Sequence, residues 1–180
     1  GGIISPILAN IYLHYILDLW FEKAVKKQFK GYAQLIRYGD DFIVCFQSGS
    51  EARVFEEKLK QRLDKFGLKI AEGKSRVIGF GRKEWEKAQR EGGKVATFDF
   101  LGFTHYCDKT RRGKFKLGRK ISSKRFRQKM KSVNQWLKSV RNQVTLAEWW
   151  RVFRLKLIRH YRYYGISGNV RGIDRFYRKT

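Results

Sequence analysis

The chain has 180 residues, 42% hydrophobic and 16% aromatic, enough apolar material for one or two domains with a packed core. Its formal charge of +25 is extreme for that size and points to a polyanionic partner, either nucleic acid or an anionic surface. No apolar run approaches the ~20 residues of a membrane-spanning helix, no signal peptide opens the chain, and two isolated cysteines, Cys45 and Cys107, make neither a zinc pattern nor a disulfide framework.

The charge is unevenly spread. Residues 111–180 hold 22 of the 41 Lys and Arg but only two of the 16 acids, Glu148 and Asp174, so a nearly balanced first part joins an intensely basic second part. The chain opens at Gly1-Gly2 without an initiator Met and stops in the basic run Arg178-Lys179-Thr180, so a fragment of a longer polypeptide or gene is expected. A reducing, cytoplasmic setting of bacterial type (or an organelle) is the default for such cysteine usage.

In chain order, Ser5-Pro6 reads as a helix start, with Ser as N-cap and Pro at the first helical position. Leu8, Ile11, Tyr12, Tyr15 and Leu19 recur at three- and four-residue steps and predict a buried helix face reaching about Lys27. The stretch from Gln34 to Phe46 places two runs of β-branched and aromatic residues around Gly39-Asp40, a strong hairpin signal. Asp40 and Asp41 at its tip are expected to lie between largely buried strands, where two like charges ~4 Å apart repel by roughly 4 kcal/mol at an effective dielectric near 20. A hard divalent cation would remove that repulsion; the alternative is an ordinary turn whose acids face solvent.

Ser48-Gly49-Ser50 is a turn, after which Val54, Leu59, Leu63 and Phe66 mark an amphipathic helix closed by Gly67. Leu68–Ile70 and Arg76–Phe80 read as short strands around Glu72-Gly73-Lys74. Gly81–Lys94 reads as a polar surface excursion, and Thr97–Tyr106 as an aromatic strand in which Gly102 permits close backbone approach. Arg111-Arg112-Gly113 is a basic turn into Lys114–Leu117. From Ser122 the pattern is helical. Phe126, Met130, Val133, Trp136, Leu137 and Val140 share a face, Asn142 or Gln143 ends that helix, and Thr145 caps the next, whose apolar residues include Trp149, Phe153, Leu157 and Tyr161. Arg125, Lys129, Arg141, Arg151, Arg154, Arg159 and Arg162 fill the outer faces. This order fits an α+β part with an antiparallel sheet, followed by an all-helical part.

Several blocks then stand in a familiar order. Gly1-Gly2-Ile3-Ile4-Ser5-Pro6 with Ile7–Leu13, Tyr38-Gly39-Asp40-Asp41, Gly67–Ser75, Phe98-Asp99-Phe100-Leu101-Gly102-Phe103 and the tail Lys156–Asn169 resemble, in sequence, conserved blocks of group II intron reverse transcriptases and their thumb, or maturase "X", segment. The resemblance covers essentially the whole chain. Gly39 departs from the family's usual Ala, and Tyr-Gly-Asp-Asp is also common in viral RNA-dependent RNA polymerases; the surrounding blocks select the reverse transcriptase.

The resemblance implies the later part of a right-hand polymerase palm over 1–120 and most of a helical thumb over 121–180. It implies RNA-directed DNA synthesis with two Mg²⁺ ions (Mn²⁺ as a substitute), one activating a primer 3′-OH and one on the leaving phosphates. Asp40 would be the principal metal ligand, with Asp41 a weaker ligand or electrostatic support. A further ligand, an Asp on an earlier strand, would lie upstream of Gly1; Asp18 and Asp99 do not replace it, so the fragment alone is expected not to polymerise. Lys74 is either a solvated turn lysine or, as its place in the family's block implies, a catalytic residue that contacts the incoming triphosphate or protonates pyrophosphate. Gly1, Gly2, Ser5, Pro6 and Tyr38 would shape the dNTP pocket, and Phe100, Leu101, Gly102 and Phe103 the primer grip. The seven outer-face cations would hold the phosphates of an RNA template and DNA primer, and intron RNA is a further expected partner, with no membrane role. The alternative is a non-catalytic RNA-binding maturase. His160 is expected to be a packed helix residue, and Tyr161, Tyr163 and Tyr164 either core or base-stacking groups.

Overall fold

The computed structural model describes residues 4–71, 73 and 75–180. The chain is α+β with antiparallel sheets and divides into two compact units, residues 1–79 and 80–180. The boundary expected near residue 120 therefore falls inside the second unit, which joins a sheet to helices.

In the first unit, helix α1 (Ser5–Leu13) runs on through π-helical turns His14–Asp18 and Phe21–Val25 to a 3₁₀ turn, Lys26–Gln28. Pro6 sits in its first turn, where a missing N–H costs nothing, but Ile4 rather than Ser5 occupies the cap position and no side chain caps the start. The expected buried face is also corrected. Leu8, Ile11, Tyr12 and Tyr15 are exposed, whereas Ile16, Leu17, Phe21 and Val25 are buried. Each π turn takes up an extra residue, so the regular three-and-four spacing ceases to identify the inward side.

Strands β1 (Ala33–Tyr38) and β2 (Asp41–Phe46) pair antiparallel, with Tyr38 opposite Asp41 and Gly39-Asp40 as the two-residue connection. Helix α2 (Gly49–Asp64) follows and buries Phe55, Leu59 and Leu63 against the long helical segment and Ala33. Each such side chain contributes roughly 1.5–3 kcal/mol by leaving water. Val54 and Phe66, expected on that face, are exposed. Gly67 (φ 68°) ends the helix as expected: Leu68 N–H donates to Leu63 O at 3.0 Å and Gly67 N–H to Asp64 O at 3.1 Å, the paired bonds of a Schellman motif. The described residues of 68–80 form no strand, contrary to the pattern reading. Leu68 and Ile70 instead pack individually against the core.

In the second unit, Gly81–Lys94 lies at the surface as expected and contains helix α3 (Arg82–Glu91), ended by left-handed Gly92. Its one large apolar side chain, Trp85, rests on Phe115, 5.9 Å between rings. The single strand expected over 97–106 is a hairpin, β3 (Phe98–Phe100) and β4 (Phe103–Lys109), extended by β5 (Phe115–Ile121) into a three-stranded antiparallel sheet. Helices α4 (Ser123–Val140), α5 (Leu146–Tyr164) and α6 (Val170–Tyr177) complete the unit. Asn142 (φ 63°) ends the first of these turns of chain, and Thr145 with Glu148 forms the capping box of the next helix. Ile121, Phe126, Val133, Phe153, Tyr164 and Phe176 form the core. Asn169, 1% exposed, ties sheet to helices by accepting from Ile121 N–H and donating to Tyr164 O.

Candidate catalytic hairpin and nucleic-acid surface

The hairpin tip is built from its turn chemistry. Gly39 has φ 63°, while Asp40 keeps a negative φ, so glycine occupies the one turn position that disfavours a side chain. Pairing alternation puts Tyr38 and Asp41 on the sheet face opposite the one packed on the core. Tyr38 is 70% exposed, and Asp40 and Asp41 are both exposed. This corrects the expectation of carboxylates crowded in a dry site: water screens them, and the repulsion estimated for a buried pair is not stored. Among the described residues neither carboxylate takes part in an ion pair or side-chain hydrogen bond, which leaves their oxygens available.

What fixes the tip is a residue that pattern reading passed over. Arg37, on the core-facing side of β1, donates through Nε and Nη2 to the two carboxylate oxygens of Asp18, at 2.8 and 2.6 Å. Its Nη1 donates to Asn10 Oδ1 at 2.9 Å and to the Gly39 carbonyl at 2.8 Å. One guanidinium therefore binds the long helix, through two residues, to the turn that carries Asp40. The Arg37 hydrogen bonds hold the Asp18 carboxyl below the usual carboxylate range, against the opposing effect of burial. Arg37 is raised for the same reason. The available signal was a lone charge within an apolar strand beside the Asp pair, and an acid in a helix whose neighbours Leu17 and Phe21 are buried.

Ser5 and Pro6 lie on the exposed first turn of α1, the helix that also supplies Asn10 to Arg37. Gly1, Gly2 and Lys74 lie outside the described residues.

In the second unit, Phe100, Leu101, Gly102 and Phe103 form the β3–β4 turn, with both central residues left-handed at φ 49° and 80°. Such a turn matches strand twist but strains a Leu. The turn is held from outside: Tyr163 Oη donates to Leu101 O at 2.8 Å, and Ser122 N–H to Gly102 O at 3.0 Å. The space a side chain on Gly102 would need is bounded by Tyr164 Oη at 3.1 Å and Arg125 Cγ at 3.6 Å. The close approach that Gly102 permits is therefore made by the chain's own α5 and α4. Of the three tyrosines, Tyr164 is core, while Tyr163 is 53% exposed and stacks on Phe103 at 5.7 Å.

Arg125, Lys129, Arg141, Arg151, Arg154, Arg159 and Arg162 are all exposed. The one ion pair in this unit among the described residues is Arg178 with Asp174, so none of these seven cations is ion-paired, although Arg151 lies close enough to the Glu148 carboxylate, one turn back on α5, to attract it. His160, as expected, is packed and not placed as a ligand: it is 4% exposed and stacks 3.6 Å from Phe176. Among the described residues no cluster of three or more His, Cys, Asp or Glu is arranged to hold a metal, and no helix is long and apolar enough to cross a membrane.

A family model described as reverse transcriptase (RNA-dependent DNA polymerase) matches residues 1–105, more than half the chain and inclusive of the Asp40-Asp41 hairpin and the β3–β4 turn. No curated protein matches the chain.

Proposed function

The chain belongs to the reverse transcriptase (RNA-dependent DNA polymerase) family, and from that premise we propose that it is the catalytic-hairpin and thumb part of a group II intron-type enzyme. The family's activity is nucleotidyl transfer on a nucleic-acid template and primer with dNTP as substrate. The proposal adds the intron type, a role for intron RNA as partner, and the assignment of residues.

Asp40 and Asp41 would hold Mg²⁺. They fit that role because they are adjacent, solvent-reached oxygen donors without a cationic partner among the described residues. Mg²⁺ is commonly bound by one or two carboxylates, with water and substrate phosphates completing its shell. Bound there, two Mg²⁺ would activate the primer 3′-OH and offset charge on the leaving pyrophosphate. Arg37 holds the turn so that Asp40 is presented without an entropic search, and Tyr38, across the ladder from Asp41, offers a flat exposed ring to a nucleotide. Lys74 would meet the triphosphate. The β3–β4 turn would steady the primer strand, and the exposed cations of α4 and α5, none of them ion-paired among the described residues, would hold template–primer phosphates.

The single observation that carries this reading is the family-matched hairpin whose exposed acid pair sits on a turn locked by Arg37. The test is primer extension on an RNA template by the full-length parent, with Asp40→Asn beside it. Asp40→Asn is expected to abolish extension while template–primer binding persists. Undiminished extension by that variant would overturn the assignment, and absence of extension by the parent itself, with RNA binding retained, would favour the non-catalytic maturase.

A further inference from the structure

Helix α4 carries basic residues on two separate edges. Taking ~100° per residue, Arg125 and Lys129 lie on one side of its buried face, while Arg127, Lys131, Asn134 and Lys138 form a stripe about 60° wide on the other. The four stripe residues are all exposed and recur at four-, three- and four-residue steps. They run for about 17 Å along the helix.

Part of this second edge borders another element. Arg127 and Asn134 line a cleft of about 410 Å³ with Phe126, Met130, Arg175 and Lys179, between α4 and α6. Beyond it Lys131, Asn134, Gln135 and Lys138 continue the stripe as an open polar face of α4 alone. No carboxylate lines the cleft or this face. The nearby Asp174 is engaged by Arg178 at 3.1 Å. Arg175 is oriented rather than free, its guanidinium lying 4.9 Å from the Phe126 ring.

We propose that this α4–α6 track binds the sugar–phosphate backbone of a nucleic-acid strand, at a site separate from the Arg125/Lys129 edge. Five cations and two amides, spread along the cleft and the helix face beyond it, suit repeating phosphates better than one small anion. The partly apolar floor of the cleft suits a ribose or base edge. Two edges on opposite sides of one helix let the chain engage two nucleic-acid segments at once. The inference rests on the reading of the chain as a nucleic-acid polymerase and extends it to a second strand.

The test uses the 180-residue protein and fluorescence anisotropy of a labelled single-stranded RNA across a salt series. One variant is Arg127→Gln/Lys131→Gln/Lys138→Gln and the other Arg125→Gln/Lys129→Gln; all five side chains are exposed, so both should keep the wild-type circular dichroism and melting midpoint. Each lost phosphate contact lowers the salt slope by about 0.7, which makes affinity about fivefold weaker at ~0.1 M relative to 1 M salt. The stripe variant should thus bind on the order of a hundredfold more weakly at ~0.1 M, with its slope reduced by about two. With a saturating template–primer duplex present, wild type should still capture the RNA, and the stripe variant should not.

Wild-type affinity in the stripe variant, with loss only in Arg125→Gln/Lys129→Gln, would overturn this site and leave the proposed function standing. Unchanged affinity in both variants would overturn the nucleic-acid reading of the helices as well. Loss of binding to phosphatidylserine vesicles by the stripe variant, without loss of RNA binding, would assign the track to a membrane instead and also overturn the proposal.

Discussion

Substituting His160 by Phe should make the helical unit less sensitive to acid. His160 packs against Phe176 at 3.6 Å and Tyr164 at 4.8 Å, and among the described residues neither ring nitrogen has a hydrogen-bond partner. Burial, and then the positive charge of Lys129, push the imidazole down to about 4 from an ordinary value of 6.5. The unfolded chain therefore takes up a proton near pH 6.5 that the folded chain refuses until about pH 4. Stability from this group is complete above pH 6.5 and declines as pH falls toward 4. At about 1.4 kcal/mol per pH unit the loss is on the order of 3 kcal/mol, a large part of the total for a domain. Urea unfolding followed by tryptophan fluorescence reports on this unit, which contains Trp85, Trp136, Trp149 and Trp150. The stability difference between wild type and His160→Phe should shift in the variant's favour by about that amount from pH 7 to pH 4. His105 is lowered by burial and adds a slope of the same sign, but it is common to both proteins and cancels. A difference that stays constant across this range would refute the reasoning, whatever its absolute size.

Three further outcomes follow from contacts at the two turns. Arg37→Ala removes both bonds to Asp18 and those to Asn10 and Gly39, and should destabilise the first unit by about 2 kcal/mol, since the pair is only partly buried. The Asp18 carboxyl should then titrate higher by NMR, and an unmoved titration would show that the pair is not formed in solution. Gly102→Ala places a Cβ 3.1 Å from Tyr164 Oη at φ 80°, so the second unit should lose roughly 1–2 kcal/mol in thermal melts; a neutral result would mean the turn is not left-handed. Tyr163→Phe deletes the donor to Leu101 O and should cost about 1 kcal/mol, with faster amide exchange across β3–β4 and no change in the hairpin of the first unit.

Local chemistry made much of this molecule legible. Gly39-Asp40 between β-rich runs, Gly67 after an amphipathic helix, and Thr145 as the cap of the helix it precedes each specify backbone geometry through contacts a few residues away. Those readings needed no knowledge of the remaining chain. The Leu101-Gly102 turn escaped notice because Leu is a poor left-handed residue; Tyr163, Tyr164 and Ser122, distant in sequence, compensate for it. Helix α3 escaped notice because a solvated helix resting on one tryptophan has almost no apolar period to detect.

Sequence alone therefore determined the elements closed by short-range bonds, the family-bearing blocks and the concentration of cations after residue 110. Tertiary structure alone decided which side of the first long helix is buried, because two π turns displace it from its regular spacing. It alone decided that Arg37 holds the acidic tip and that α6 stands against one basic edge of α4. Those features arise where chain segments far apart in sequence meet, and a pattern confined to neighbouring residues carries no record of such meetings.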